Sequence, residues 1–311
     1  MEYRMSFDLA FLSKTMKPLK DSKKIKVEDG KNFKLSHFPS NEPLHYKDET
    51  SIKKALSDYR ETISDLQEKL YASGKHSVLI ILQAIDAAGK DSCIKHVMSG
   101  VNPQGCSVSS FKSPSKEELS HDFLWRTYKQ LPERGKIGVF NRSYYEEVLI
   151  CKVHPEYVLS QNIPGIEETK DIDEKFWKNR YRAINEMERH LSKNGTIIIK
   201  IFLNLGKEEQ KKRFIERIDV PEKQWKFNLL DVKERQYWKA YQQVYNDMIT
   251  HTSTKHAPWY ILPADNQWVS RAAMGQILLE HLQSLNLTFP ANNEADKALI
   301  TKARIELIKE K

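Results

Sequence analysis

Cysteine is scarce: three in 311 residues, at Cys93, Cys106 and Cys151. They form no even set and no Cys-x-x-Cys pair, which excludes a disulfide framework and a cysteine zinc site and points to a reducing, cytoplasmic setting. No run of about 18 apolar residues occurs, so no membrane-spanning helix is expected. Met1-Glu2-Tyr3-Arg4 opens the chain without the basic-then-apolar pattern of a secretion signal. Internal repeats and low-complexity tracts are also missing, and no composition shift marks a second core. Charge, by contrast, is abundant: 50 Lys and Arg against 42 Asp and Glu, a net charge of +8. A basic balance suits a polyanionic partner, or it merely keeps the chain soluble. Neither a helix-turn-helix nor an RNA-binding signature accompanies it, so nucleic acid is not the expected partner.

Residues 1–49 are polar and lysine-rich, carry Pro18, Pro39 and Pro43, and read as an extended arm. Residues 50–311 read as one domain. Ile52, Leu56, Tyr59, Ile63, Leu66 and Leu70 recur at helical spacing and predict an amphipathic helix over 51–72. Strands are expected at 77–83, 106–111, 137–140, 196–203 and 259–262. Helices are expected at 89–99, 115–130, 143–151, 171–193, 206–218, 231–250, 267–286 and 293–310. Apolar strands separated by helical patterns predict an α/β fold, a parallel sheet with helices on both faces.

In such folds ligands gather at the carboxyl ends of the strands. The first of these ends, Ala84-Ile-Asp-Ala-Ala-Gly-Lys-Asp91, runs from an apolar strand through a small-residue turn into a helix. Ala87, Ala88, Gly89, Lys90 and Asp91 can bring backbone N–H groups, a helix N-terminus and an ammonium onto a phosphate. The pattern G-x-x-x-x-G-K-[ST] is not met, because Ala84 replaces its first glycine and Asp91 its hydroxyl residue. Asp86 is a candidate magnesium ligand, since hard cations take carboxylate oxygen.

The second strand end carries Phe140-Asn-Arg-Ser-Tyr-Tyr-Glu146. Asn141 offers a neutral oxygen where nucleotide kinases commonly place an aspartate. Arg142 and Glu146 share a helix face, as a phosphate-handling pair or as an ordinary surface pair. Arg213 and Arg217 share another face, as a solvated stripe or as arginines of a lid that closes on phosphate. Lys95, His96, Lys112 and Arg126 complete a candidate track for a long polyanion.

Taken together, these motifs resemble the type-2 polyphosphate kinase family. So do Lys212-Arg-Phe-Ile-Glu-Arg217 with Trp225-Lys226-Phe227, Asn102-Pro-Gln-Gly105, Glu118-Leu-Ser-His-Asp-Phe-Leu-Trp-Arg126, Val153-His-Pro-Glu156 and Ala257-Pro-Trp-Tyr260. The similarity covers about residues 50–290, with the motifs in order. It implies a thymidylate-kinase-like, three-layer P-loop kinase fold with a helical lid at about 207–230. It also implies magnesium, or manganese in its place, and reversible phosphoryl transfer between inorganic polyphosphate and nucleoside mono- or diphosphates, in a homodimer or homotetramer. By the same resemblance Asp86 is the metal-binding catalytic carboxylate, Lys90 the phosphate-holding lysine and Arg142 a phosphate-contacting arginine. Arg213, Arg217 and Lys226 fall in the lid that meets the nucleotide. Asn141 with Glu146 resembles the branch that accepts both mono- and diphosphates, Glu146 supplying the carboxylate and metal ligand that Asn141 lacks. Two other readings stay open: an ATP-dependent nucleoside monophosphate kinase, and a polyanion-binding module without turnover.

Overall fold

Val78 to Leu82 are wholly buried, and a strand closed to water on both faces can be apolar throughout. That strand, β2 (Ser77–Ala84), is central to the sheet of the computed structural model, which describes residues 21–310. The other strands are β1 (Lys26–Val27), β3 (Cys106–Ser110), β4 (Ile137–Asn141), β5 (Thr196–Asn204) and β6 (Trp259–Pro263). Their spatial order is β1-β6-β5-β2-β4-β3. Every pairing is parallel except β1 with β6, which is antiparallel. That antiparallel edge departs from the all-parallel expectation; two residues are too few to show a period in the sequence.

The principal helices are α1 (Glu49–Ser73), α2 (Lys90–Val97), α3 (Glu174–Lys193), α4 (Lys207–Asp219), α5 (Trp238–Thr252), α6 (Gln267–Ser284) and α7 (Glu294–Lys309). The α1 helix starts where Asp48 accepts the Ser51 amide at 2.7 Å and ends at Gly74, whose φ of 57° suits a left-handed cap. Ile52, Leu56, Tyr59, Ile63 and Leu70 form its buried face, packed on α6. Each such side chain contributes about 1.5–3 kcal/mol by leaving water.

Some expected helices are broken. The 115–130 span is two short helices, Lys116–Leu119 and Trp125–Tyr128, because Asp122 turns the chain by accepting the Leu124 amide. The 143–151 span becomes a 3-10 helix, Tyr144–Val148, followed by Ile150–Val153, after Ser143 Oγ accepts the Tyr145 amide. The 231–250 span is divided into Leu229–Glu234, Arg235–Tyr237 and α5. Residues 1–20 of the expected arm lie outside the described residues. Beyond them Ile25, Val27, Phe33 and Leu35 are buried in the main core. No helix among the described residues is long and apolar enough to cross a membrane.

Candidate active site

Sheet order places the end of β4 beside the end of β2, so the two motif-bearing turns meet. The Arg142 amide donates to Leu82 O (3.1 Å) and closes that junction. Both turns use left-handed backbone: φ is 64° at Ala87, 100° at Gly89 and 63° at Arg142. At Ala87 and Arg142 this conformation costs free energy and persists only because neighbours enforce it.

Arg142 Nη2 lies 2.8 Å from Asp86 Oδ1, with the pair partly open to the cleft. Lys90 Nζ turns back on the loop, donating to Ala84 O (2.9 Å) and weakly to Ile85 O (3.4 Å). Burial lowers the Lys90 pKa, the Arg142 charge adds to that, and Asp86, Glu146 and Asp91 oppose it. The Glu146 carboxyl is raised by burial, with Arg142 and Lys90 pulling it down. Gln83, its amide oriented to donate to Glu146 Oε1 at 2.9 Å, anchors that carboxylate from β2.

Asn141 Nδ2 donates to Asp91 Oδ1 (2.7 Å), which fixes the amide orientation. Its Oδ1 is buried without a hydrogen-bond partner. An orphaned amide oxygen in the same cleft as Asp86 is an oxygen donor of the kind magnesium takes. No group of three or more His, Cys, Asp or Glu side chains forms a ready metal cage among the described residues. Magnesium needs none, since it is usually held by one or two carboxylates together with substrate phosphates and water. The residues therefore fit a metal that arrives with its phosphate ligand.

Asp86, Lys90, Asp91, Asn141 and Arg142 line a cleft of about 850 Å³. Loop residues Asp86–Ser92 form its floor and Ser110–Ser113 one wall, with Lys112 exposed. The end of α4 and the 3-10 turn Pro221–Lys226 lie along the other side. Arg217 lies 3.6 Å from Asp231, and Lys226 lies over the ring of the exposed Trp225 at 4.9 Å. A second, small cavity of about 50 Å³ adjoins Asp86, Arg142 and Glu146 and is bounded by Asp231, Glu234, Arg235 and Tyr245.

Two arginines expected at phosphate spend their donors on protein acceptors, although Arg213 also lines the cleft. Arg213 Nε bonds Glu209 (3.0 Å), Nη1 bonds Ala87 O and Ala88 O (3.1 Å each), and Nη2 bonds Ala264 O and Asp265 O at 2.7 and 2.8 Å. Its five N–H donors all meet protein acceptors, so it clamps the loop to the end of β6. Arg126 is buried, donates to Lys112 O at 2.8 Å and lies 3.6 Å from Glu147, holding the cleft wall from behind. Lys95 and His96 lie outside the cleft lining; His96 is tied to Ser92 O at 2.8 Å and stands edge-on to Trp268.

Some cleft residues escaped the sequence reading. Asp231, half-buried and raised by burial and by the Asp86 charge, stands in an unremarkable Leu-Leu-Asp-Val run. Asp265, outside the cleft lining, carries no motif either, yet its carboxylate accepts from the Gly206 amide (2.7 Å) and from Ser40 Oγ (2.8 Å). A Cβ at Gly206 would come within 2.9 Å of Ser40 Oγ and 3.0 Å of Asp265 Oδ2, so a side chain there would push aside the groups that make this joint. Only the tertiary fold brings these groups together.

A strand and turn that lead through Gly89 into a helix beginning at Lys90, set at the carboxyl edge of a mostly parallel sheet and facing Arg142, define a P-loop kinase-like protein. Residues 46–290 match the family Polyphosphate kinase 2 (PPK2), and the chain belongs to that family. It is 47% identical over 288 residues, 93% of this chain and 99% of the relative, to the ADP-polyphosphate phosphotransferase of Rhodopseudomonas palustris. Identity is 39% over 279 residues, 89% of this chain and 99% of the relative, to the AMP/ADP-polyphosphate phosphotransferase of Meiothermus ruber. The crystal structure of polyphosphate kinase 2 from Arthrobacter aurescens superposes with a TM-score of 0.82 at 38% identity, covering 92% of this chain and 99% of that one.

Proposed function

We propose that the protein is a polyphosphate-dependent nucleotide kinase that moves the terminal phosphate of inorganic polyphosphate onto ADP or GDP, and onto AMP or GMP. The observation that carries this reading is the joining of the Asp86–Lys90 loop to Arg142 at one end of a cleft bordered by basic residues. Phosphoryl transfer asks for little covalent chemistry from a protein; it asks for positioning and for charge to meet the equatorial oxygens. Loop amides and Lys90 would hold the terminal phosphate. Lys90 has to release the Ala84 and Ile85 carbonyls to reach it. Arg142 would swing part of its guanidinium from Asp86 to the transferring group. Arg217 and Lys226 would approach from the lid side, while Arg213 and Arg126 hold the walls.

Asp86 and Asn141 Oδ1 would hold magnesium, with Glu146 as the further carboxylate close by. Bound there, magnesium would neutralise phosphate charge during transfer. A donor that is only a phosphate chain offers no base or ribose to recognise, which suits a loop altered at Ala84 and Asp91. The same reading takes residues 50–311 as one catalytic domain with a lid at about 207–230, residues 1–49 as an arm, and the setting as cytoplasmic.

The test is direct. Purified protein with magnesium and polyphosphate receives AMP, ADP, GMP or GDP in turn, and product nucleotides are separated and counted. ATP from ADP or ADP from AMP is expected. Absence of both, with transfer from ATP to AMP instead, would replace this reading by a nucleoside monophosphate kinase.

A further inference from the structure

Lys200 stands in β5, in register with Ile81 of β2 on one side and Trp259 of β6 on the other. It is completely buried, as is Glu188 of α3. The three ammonium hydrogens find three acceptors: Glu188 Oε2 at 2.7 Å, Tyr145 OH at 2.9 Å and Thr252 O at 2.7 Å. Tyr144 and Tyr145 both donate to Glu188 Oε1, at 2.8 and 2.6 Å. One ion pair thus ties together β5, α3, the end of α5 and the 3-10 helix Tyr144–Val148.

That 3-10 helix has two working sides. Tyr144 and Tyr145 turn into the core and end on the ion pair. Glu146 within it, and Arg142 just ahead of it, line the small cavity at the phosphate loop. Arg142 also holds a left-handed φ of 63°, a conformation that needs continuous support from its surroundings. Burying two charges is costly, and apolar residues of similar size often serve stability as well or better. What apolar residues cannot do is fix two adjacent hydroxyls at one carboxylate oxygen, and so fix the rotation of the helix that bears them.

We propose that Glu188 and Lys200 are positioning residues for phosphoryl transfer, which set the 142–146 segment so that Arg142 meets Asp86 and the transferring phosphate. Neither residue touches the cleft; both act through the two tyrosines. The inference rests on the functional reading given above.

A double-mutant cycle tests it, because residues that act through one another lose additivity. Steady-state transfer from polyphosphate to ADP is measured for the unaltered protein, Glu188→Gln, Arg142→Lys and the double variant. Glu188→Gln is expected to lower kcat by about tenfold or more with the KM for polyphosphate little changed. In the Arg142→Lys background the same substitution is expected to cost only about twofold. Equal losses in both backgrounds, or an unimpaired Glu188→Gln variant, would overturn the proposal. Tyr145→Phe leaves the ion pair in place and supports the same cycle should Glu188→Gln fail to fold. If the unaltered protein transfers no phosphate from polyphosphate, it is the functional reading that has failed; an active protein with an additive cycle removes only the positioning role.

Discussion

Arg142 and Asp86 meet at 2.8 Å across the junction of two parallel strands. The arginine is thereby held beside the loop that would grip phosphate, yet the pair stays partly exposed. Such a pair adds little to stability, about 0–1 kcal/mol. On the proposed reading, its worth would lie in keeping opposite charges ready for a metal and a phosphate.

Asp86→Asn should therefore lower kcat by about 10²–10³-fold, the size of loss that follows removal of one preorganised charged partner. The melting temperature should move by no more than a degree or two. Kinetics and calorimetry on the same preparation separate the two effects; a large thermal loss with normal turnover would reverse the assignment.

Arg213→Lys should behave in the opposite way. A lysine cannot serve four carbonyls at once, and leaving buried carbonyls unpaired costs roughly 2–4 kcal/mol in total. A clear fall in denaturant midpoint is expected together with lower kcat. A variant of unchanged stability whose only defect is a higher KM for polyphosphate would mean that Arg213 serves phosphate after all.

Arg217→Ala, by contrast, removes a partly exposed ion pair with Asp231 at the cleft edge. Stability should hold within about 1 kcal/mol, while kcat/KM for the nucleotide falls about 10–100-fold through the lost charge. Equal activity at low and high nucleotide concentration would remove it from the site.

Glu146 makes a pH prediction whose sign is fixed. Burial raises its carboxyl above the ordinary 4.5, so between 4.5 and the raised value the folded protein binds more protons than the unfolded chain. Stability from this group is present at low pH and is lost as pH rises through that window. Glu146→Gln should flatten the decline, and its thermal midpoint should gain on the unaltered protein as pH increases from about 4.5. Parallel pH profiles would show that Glu146 titrates normally.

Strands and phosphate loop were legible because their signals are local. The apolar run at Val78 to Leu82 and the Gly89-Lys90 turn need only their neighbours. The backbone contacts of Arg126 and Arg213 could not be read from the sequence, because a basic residue looks the same there whether it faces solvent phosphate or a backbone carbonyl. What distinguishes them is which carbonyls the fold delivers, and Ala264 and Asp265 lie some fifty residues from Arg213. Asp231 and the Lys200–Glu188 pair were silent for a similar reason: each is defined by partners on other elements. The fold's irregular helices were lost to side-chain turns at Asp122 and Ser143, which compete with helix over a single residue.

Asp265 anchors α4 at two points. Its carboxylate grips Gly206 at the root of α4, and its carbonyl takes Arg213 two turns along the same helix. The segment beyond that point, from Phe214 through the Trp225 turn, thus starts from a base tied to the chain just after the last strand. An engineer could exchange residues 215–230 between relatives and keep Gly206, Arg213 and Asp265. On the proposed reading, such an exchange would alter the side of the cleft that meets the nucleotide while the Asp86–Asp91 loop kept its anchor on Arg213.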